Sequence, residues 1–308
     1  MSLRVKNPKS KKNKLIIITG AIVLILILGY FGVSLFIVNQ LTQTTPNPTD
    51  DSPTFVAQNF SNVTFPAADG LALQGWLYQN KLSNANKRII IMVSGIGQNR
   101  ADDGYYALFI AHDLYQEGYS LLLYDPRETG TQVTRDDFGQ TRGNDVLGAV
   151  QFVEQNGFAS RDIGIIADSL GTAAVLMVVD KLNDIGPIVI DSGIARMQPV
   201  VENLMVTEHG IPQFFFPGIF FLARTIYHID ISTINPIDHV AKVPDRVFLF
   251  LAGTNDNVVP IKNSNELLQT ANAASKLVLF PSAQHVNTYR SNPDLYLKSV
   301  NAFFNQQF

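Results

Sequence analysis

The chain has no cysteine, so no disulfide can brace it. It has a single tryptophan and only five histidines in 308 residues, and charged residues make up 16% of it against 46% hydrophobic. A chain of this length and composition can bury one large core. It carries no internal repeat, phosphate-binding loop, dinucleotide fingerprint or metal-ligand spacing, so the sequence implies no cofactor and no metal. Acids are missing from the first 14 residues, which hold six bases (Arg4, Lys6, Lys9, Lys11, Lys12, Lys14). The remainder has 17 basic against 26 acidic residues, a net −9. An acidic body argues against nucleic acid as the partner.

Charge is also missing from Leu15 to Val38, 24 residues in all. As a helix at about 1.5 Å per residue this run is roughly 36 Å long, enough to cross a hydrocarbon core of about 30 Å with some tilt. The run is longer than a signal-peptide core, and Asn39-Gln40-Leu41-Thr42 offers no small-x-small cleavage site. It reads as an uncleaved transmembrane helix (residues 15–38) behind a basic cytoplasmic tip (residues 1–14). That orientation puts everything after Val38 on the extracytoplasmic side of a single-pass membrane protein. Residues 39–54 are polar and proline-containing, as in an extended linker. Two N-x-S/T sequons, at Asn59 and Asn62, open the segment that follows.

From residue 55 to 308 the pattern is one of alternating strands and helices. Phe60–Phe65 and Leu71–Tyr78 flank an Ala-Asp-Gly turn as an antiparallel hairpin. Residues 88–94, 119–125, 162–166, 187–191, 246–252 and 276–280 are short, continuous apolar runs. Strands covered on both faces read this way, so the sheet is mostly parallel and flanked by helices. Helices are expected over about 102–116, 143–155, 170–182 and 293–304.

One turn in this series carries chemistry. Asp162–Ile166 reads as a strand and Leu170–Leu182 as a helix, with Ala167-Asp168-Ser169-Leu170-Gly171 between them. This fits the G-x-S-x-G nucleophile elbow with alanine in its first small position. Such a turn exposes the Ser169 hydroxyl and leaves the Leu170 N–H at the helix N-terminus to bind an oxyanion.

The chain resembles the α/β-hydrolases, of the serine-hydrolase type that includes membrane-anchored esterases and acylhydrolases. The likeness spans residues 60–308 and rests on SGIGQNR at 94–100, DPRETG at 125–130, ADSLG at 167–171, GTNDNVVP at 253–260 and SAQH at 282–285. It implies a catalytic triad in the order Ser169, Asp256, His285. His285 is the one histidine directly after the last strand; His112 falls in the first helix and His209, His228 and His239 in the excursion between strands. Asp191, at the end of the preceding strand, is the rival acid. The likeness pairs the Leu170 N–H with that of Ile96 as oxyanion hole. Ser94 stands where the family commonly has a histidine, and Glu128-Thr129 where relatives often carry Gly-His, so the bracing of the oxyanion loop must differ. Asp125, Arg127 and Asp145 match family positions as structural groups, a strand-end acid paired with a loop arginine.

Residues 193–243 form a short lid excursion containing the apolar stretch 211–223, too short and too proline-broken for a second span. It either lines an acyl pocket, touching the membrane surface, or packs as ordinary core. The function expected is a membrane-tethered serine hydrolase acting on small-molecule or lipid-like carboxylic esters or thioesters of apolar acyl groups. The alternatives are a serine peptidase on the same triad, with Glu202 and Glu208 as candidate amine holders, or a non-catalytic binding protein on a hydrolase scaffold.

Overall fold

The computed structural model describes residues 8–49, 52–80, 87–101, 106–129, 135–182 and 184–308. The expected start of the first helix near Asp102, Gly130 of the DPRETG stretch and the bases Arg4 and Lys6 lie outside them.

The described residues form an eight-stranded sheet: β1 (Ser61–Pro66), β2 (Ala72–Tyr78), β3 (Ile89–Val93), β4 (Ser120–Tyr124), β5 (Ile163–Asp168), β6 (Ile188–Asp191), β7 (Phe248–Gly253) and β8 (Lys276–Phe280). Its order is β1-β2-β4-β3-β5-β6-β7-β8. β1 and β2 pair antiparallel and β2 joins β4 antiparallel; from β4 to β8 every pairing is parallel. The apolar runs of β3 to β7 are continuous because both faces are covered. Ile89, Ile91 and Val93 of β3 enter one core layer and Ile90 and Met92 the other, the period-2 alternation of a strand. In β7, Phe248 and Phe250 alternate with Leu249 and Leu251 in the same way.

Ten helices accompany the sheet among the described residues. α1 (Pro8–Thr42) precedes it; α2 (Ala107–Gln116), α3 (Gly143–Gln155) and α4 (Leu170–Leu176) lie between its early strands. α5 (Met197–Thr207), α6 (Phe216–Ile226) and α7 (Pro236–Val240) form the excursion after β6. α8 (Lys262–Thr270), α9 (Thr288–Ser291) and α10 (Pro293–Gln307) complete the chain. α4 is shorter than expected, giving way at Met177 to a 3-10 turn over Val179–Lys181. Val178 leaves helical geometry at φ −120°, and it packs against α3, where a Cβ added to Gly143 would meet its Cγ1 at 2.5 Å. Branched side chains at 175, 178 and 179 also weaken a helix here.

The helix expected over 15–38 is real but longer, and its two halves differ. Leu15–Leu28 are largely exposed apolar side chains, and Lys12–Thr42 is long and apolar enough to cross a membrane. Ser34, Val38 and Thr42, four residues apart on one face, are fully buried against the rest of the protein. The linker is not an extended tether at its start. The Asn47 side chain donates to the Gly97 carbonyl (2.9 Å), the Asn99 side chain donates to the Asn47 carbonyl (3.1 Å), and Arg135 donates to Thr42 Oγ1 (2.8 Å). Asn47 thus ties the linker to the loop after β3 through both its side chain and its carbonyl, which composition alone does not reveal.

Candidate active site

β5 delivers Ser169 in a strained turn. Ser169 has φ 47° and ψ −122°, a region disfavoured for any residue with a Cβ. The turn is held from both sides. The Ser169 N–H donates to the Asp191 carbonyl (3.1 Å), and Gly171 is pressed onto β3, where an added Cβ would sit 2.2 Å from the Val93 carbonyl oxygen. Only glycine fits there. The small position at 167 is filled by fully buried Ala167.

Two loops at the carboxyl ends of β7 and β8 bring the remaining groups over this turn, the edge where parallel sheets collect functional side chains. His285 Nε2 lies 2.7 Å from Ser169 Oγ, and His285 Nδ1 lies 2.8 Å from Asp256 Oδ2. The other carboxylate oxygen of Asp256 accepts the N–H groups of Val258 (3.0 Å) and Val259 (2.8 Å), which fixes the acid's orientation. The histidine loop is seated on the acid's loop: the Asn255 N–H donates to the Ala283 carbonyl, and an added Cβ at Gly253 would stand 2.3 Å from that oxygen. Asp256 and Ser169 are buried and His285 is mostly so.

Asp191 does not face His285. Its carboxyl accepts hydrogen bonds from Thr288 Oγ1 and, at 3.4 Å, from Ser192 Oγ. Burial pushes its pKa up to about 8, with the charges of Asp168 and Asp256 adding to the effect. Of the other histidines, His112 Nδ1 lies 3.2 Å from the Phe55 carbonyl and His239 Nδ1 lies 3.1 Å from Asp180.

The loop after β3 passes over Ser169. A Cβ added to Gly95 would lie 3.0 Å from both Ser169 Cβ and Asp168 Oδ2. The Gly95 N–H is used internally, donating to Gln98 Oε1 and Asp168 Oδ2, both at 3.0 Å. The next donor in the chain is Ile96. The Leu170 N–H heads α4, where a helix leaves its first N–H groups without an intrahelical partner. Asp168 is half-buried and its pKa is pushed up to about 6, burial outweighing the attraction of His285.

Arg142, which sequence reasoning missed, braces this loop. It is 2% exposed and its Nη1 and Nη2 donate to the carbonyls of Ser94 (3.2 Å) and Gly95 (3.1 Å). Its Nε donates to Glu128 Oε2 at 2.7 Å, and Glu128 is 3% exposed. The bracing expected from a histidine near position 94 is therefore supplied by an Arg142–Glu128 pair from below. The neighbouring carboxylates of Asp136 and Asp137 each bring an oxygen within 4.8 Å of Glu128's, a donor set of the kind a hard cation takes. Asp136 is pushed up to about 7 by burial and the charge of Glu128. A cleft of about 400 Å³ opens beside this cluster, between Ile96 and Gly97 on one wall and residues 43–47 on the other.

The expected structural groups pair differently from the sequence reading. Asp125 takes Arg100 (3.3 Å), whereas Arg127 binds Asp145 (2.6 Å) and Asp69 (2.9 Å). The excursion 193–243 adds a third core layer in which Ile219, Leu222 and Ala223 of α6 join Leu170, Met197 and Val38.

No protein-family model matches the chain. It is 22% identical over 251 residues to the uncharacterized protein YfhR of Escherichia coli strain K12, covering 78% of each chain. It is 23% identical over 241 residues to the uncharacterized membrane protein YNL320W of Saccharomyces cerevisiae, covering 77% of this chain and 78% of that one. Among solved structures it resembles the Pyrococcus furiosus esterase Pf2001, with a TM-score of 0.71 and 18% identity over 87% of this chain and 98% of that one.

Proposed function

The fold is that of the α/β-hydrolases, and on it we propose that the protein is a serine hydrolase cleaving carboxylic esters or thioesters of apolar acyl groups. The observation that carries this reading is the unbroken chain Ser169 Oγ–His285 Nε2 (2.7 Å) and His285 Nδ1–Asp256 Oδ2 (2.8 Å) on a strained strand-to-helix turn. A serine hydroxyl is a poor nucleophile at neutral pH until a base takes its proton as it attacks. In this reading His285 Nε2 takes the Ser169 proton and the serine oxygen adds to the acyl carbon. Asp256 holds the ring with Nδ1–H towards itself and stabilises the imidazolium. The N–H groups of Ile96 and Leu170 receive the oxyanion, His285 returns its proton to the leaving alcohol or thiol, and a water activated by the same histidine releases the acid.

α1 is read as the membrane span, with its lysine-bearing end in the cytoplasm and the hydrolase domain outside. The apolar third layer over α4 favours an acyl substrate over a sugar. An active-site fluorophosphonate tests the reading on the full chain. Label on Ser169 that vanishes in Ser169→Ala and falls sharply in His285→Ala supports it; a folded protein that takes no label sinks it.

A further inference from the structure

Leu15 to Val38 is long enough to span a bilayer, yet not all of it is free to do so. From Tyr30 onward α1 is packed against α6 and the turn before it. The Tyr30 ring stacks on Phe215 (5.5 Å), and its hydroxyl donates to the Phe214 carbonyl (3.0 Å) and accepts from the Gly218 N–H (3.0 Å). A Cβ added to Gly218 would lie 2.6 Å from both Ser34 Oγ and Tyr30 Cε1, so the two backbones are in close approach. Further along, Phe31 meets Phe221 edge-on (6.0 Å) and the Tyr227 hydroxyl reaches Asn39 (3.5 Å). Residues 214–227 therefore run parallel to 30–39, side by side.

The lengths then conflict with a simple tether. Leu15–Gly29, the part of α1 clear of the domain, is 15 residues and about 22 Å long, while the hydrocarbon core is about 30 Å thick. The missing 8 Å or so corresponds to about five more residues of α1, from Tyr30 to Ser34. Those residues cannot enter the bilayer without the segment packed on them.

We propose that the start of the lid, Gln213 to Phe221, is embedded in the outer half of the bilayer beside α1. This rests on reading α1 as a membrane span. The surface suits that position. Phe214 is 64% exposed and Phe221 56%, with Phe31 (37%) beside them. Pro217 is also exposed, and no charged residue falls between Ile211 and Ala223. The first charge along the segment, Arg224, stands on the Asn39 side of Phe221, where a headgroup can reach it, and Tyr227 follows it. Phe214 thus lies deep and Arg224 and Tyr227 shallow, in the same direction as α1. The opposite face of α6 shares its core with Leu170, next to Ser169, so the lid separates the nucleophile's turn from the lipid.

Depth-dependent quenching of tryptophan by brominated phosphatidylcholine tests this on the full chain in vesicles. The native Trp76 is 4% exposed inside the domain and supplies a low background. Phe221→Trp should be quenched several-fold more than Phe109→Trp, an aromatic position on α2 that is 43% exposed, and Leu24→Trp reports on α1 itself. Quenching at both 24 and 221 with none at 109 supports the proposal. Quenching at 24 without quenching at 221 overturns it and leaves the span intact. No quenching at either position overturns the span and the embedded lid together.

Discussion

Replacing Arg142 by methionine should damage stability and catalysis by two separable routes. Arg142 and Glu128 are 2% and 3% exposed and joined at 2.7 Å, and burial together with the charge of Glu128 raises the pKa of Asp136 beside them. Removing one member of such a pair strands a buried charge, a loss of about 3–5 kcal/mol. At about 2–4 °C per kcal/mol for a domain of this size, the melting temperature should fall by roughly 6–20 °C. The double variant Arg142→Met/Glu128→Gln has no stranded charge and should recover most of that loss. It does not restore the two hydrogen bonds to the Ser94 and Gly95 carbonyls, which fix the peptide chain leading to the Ile96 N–H. Losing one oxyanion donor outright costs about 10²–10³ in kcat, and a loosened donor should cost about tenfold or more. Thermal melting and ester-hydrolysis kinetics on the single and double variants separate the two effects. A double variant with recovered stability and wild-type kcat would refute the idea that Arg142 positions the oxyanion loop.

Asp256→Asn keeps the shape of the acid but inverts the preference for the productive His285 tautomer, and kcat should fall by about 10⁴ with the fold intact by circular dichroism. Gly171→Ala drives a methyl to 2.2 Å from the Val93 carbonyl oxygen, a backbone atom, so the variant should melt well below wild type and lose fluorophosphonate labelling at Ser169. Asp191, with a folded pKa of about 8 against 3.8 unfolded, keeps a proton that the unfolded chain releases. Its contribution is therefore fully present below pH 4 and is lost as the pH rises towards 8, by up to about 1.4 kcal/mol per unit. Asp191→Asn mimics the protonated form, so urea titrations at pH 5 and pH 8 should show the variant gaining on wild type at the higher pH; a constant difference would rule this out.

The sheet was legible because strands buried on both faces leave continuous apolar runs and hairpin strands alternate, and all eight expected strands correspond to observed ones within a residue or two. Ser169, Asp256 and His285 were expected as a set from the family likeness, each in a loop just past a strand, and the His285 ring lies within hydrogen-bonding distance of the other two at one edge of the sheet. The Arg142–Glu128 brace was not legible. Its partners on the oxyanion loop are two backbone carbonyls, which any sequence offers, and a 14-residue separation across a loop has no period to detect. The linker's docking escaped for the same reason: side chains that favour water also satisfy carbonyls at 97 and 47. An apolar run likewise cannot tell lipid from protein, so the division of α1 at Tyr30 needed the position of α6.

Composition also could not decide between the two strand-end acids, Asp191 and Asp256, and the structure shows what separates them. Asp191 ends β6 directly beneath the elbow, where its carbonyl holds the Ser169 N–H and its carboxyl is enclosed by Thr288 and Ser192. Burial, with the charges of Asp168 and Asp256 nearby, outweighs the hydrogen bonds from Thr288 and Ser192 and favours the neutral acid, which is of little use for stabilising an imidazolium. Asp256 is equally buried, yet two backbone N–H groups at 2.8 and 3.0 Å solvate one oxygen and leave the other for His285. In the proposed triad the loop Asn257-Val258-Val259 folds back over Asp256, holding one oxygen and leaving the other for His285, whereas Asp191 has no such loop and turns its carboxyl to Thr288 and Ser192.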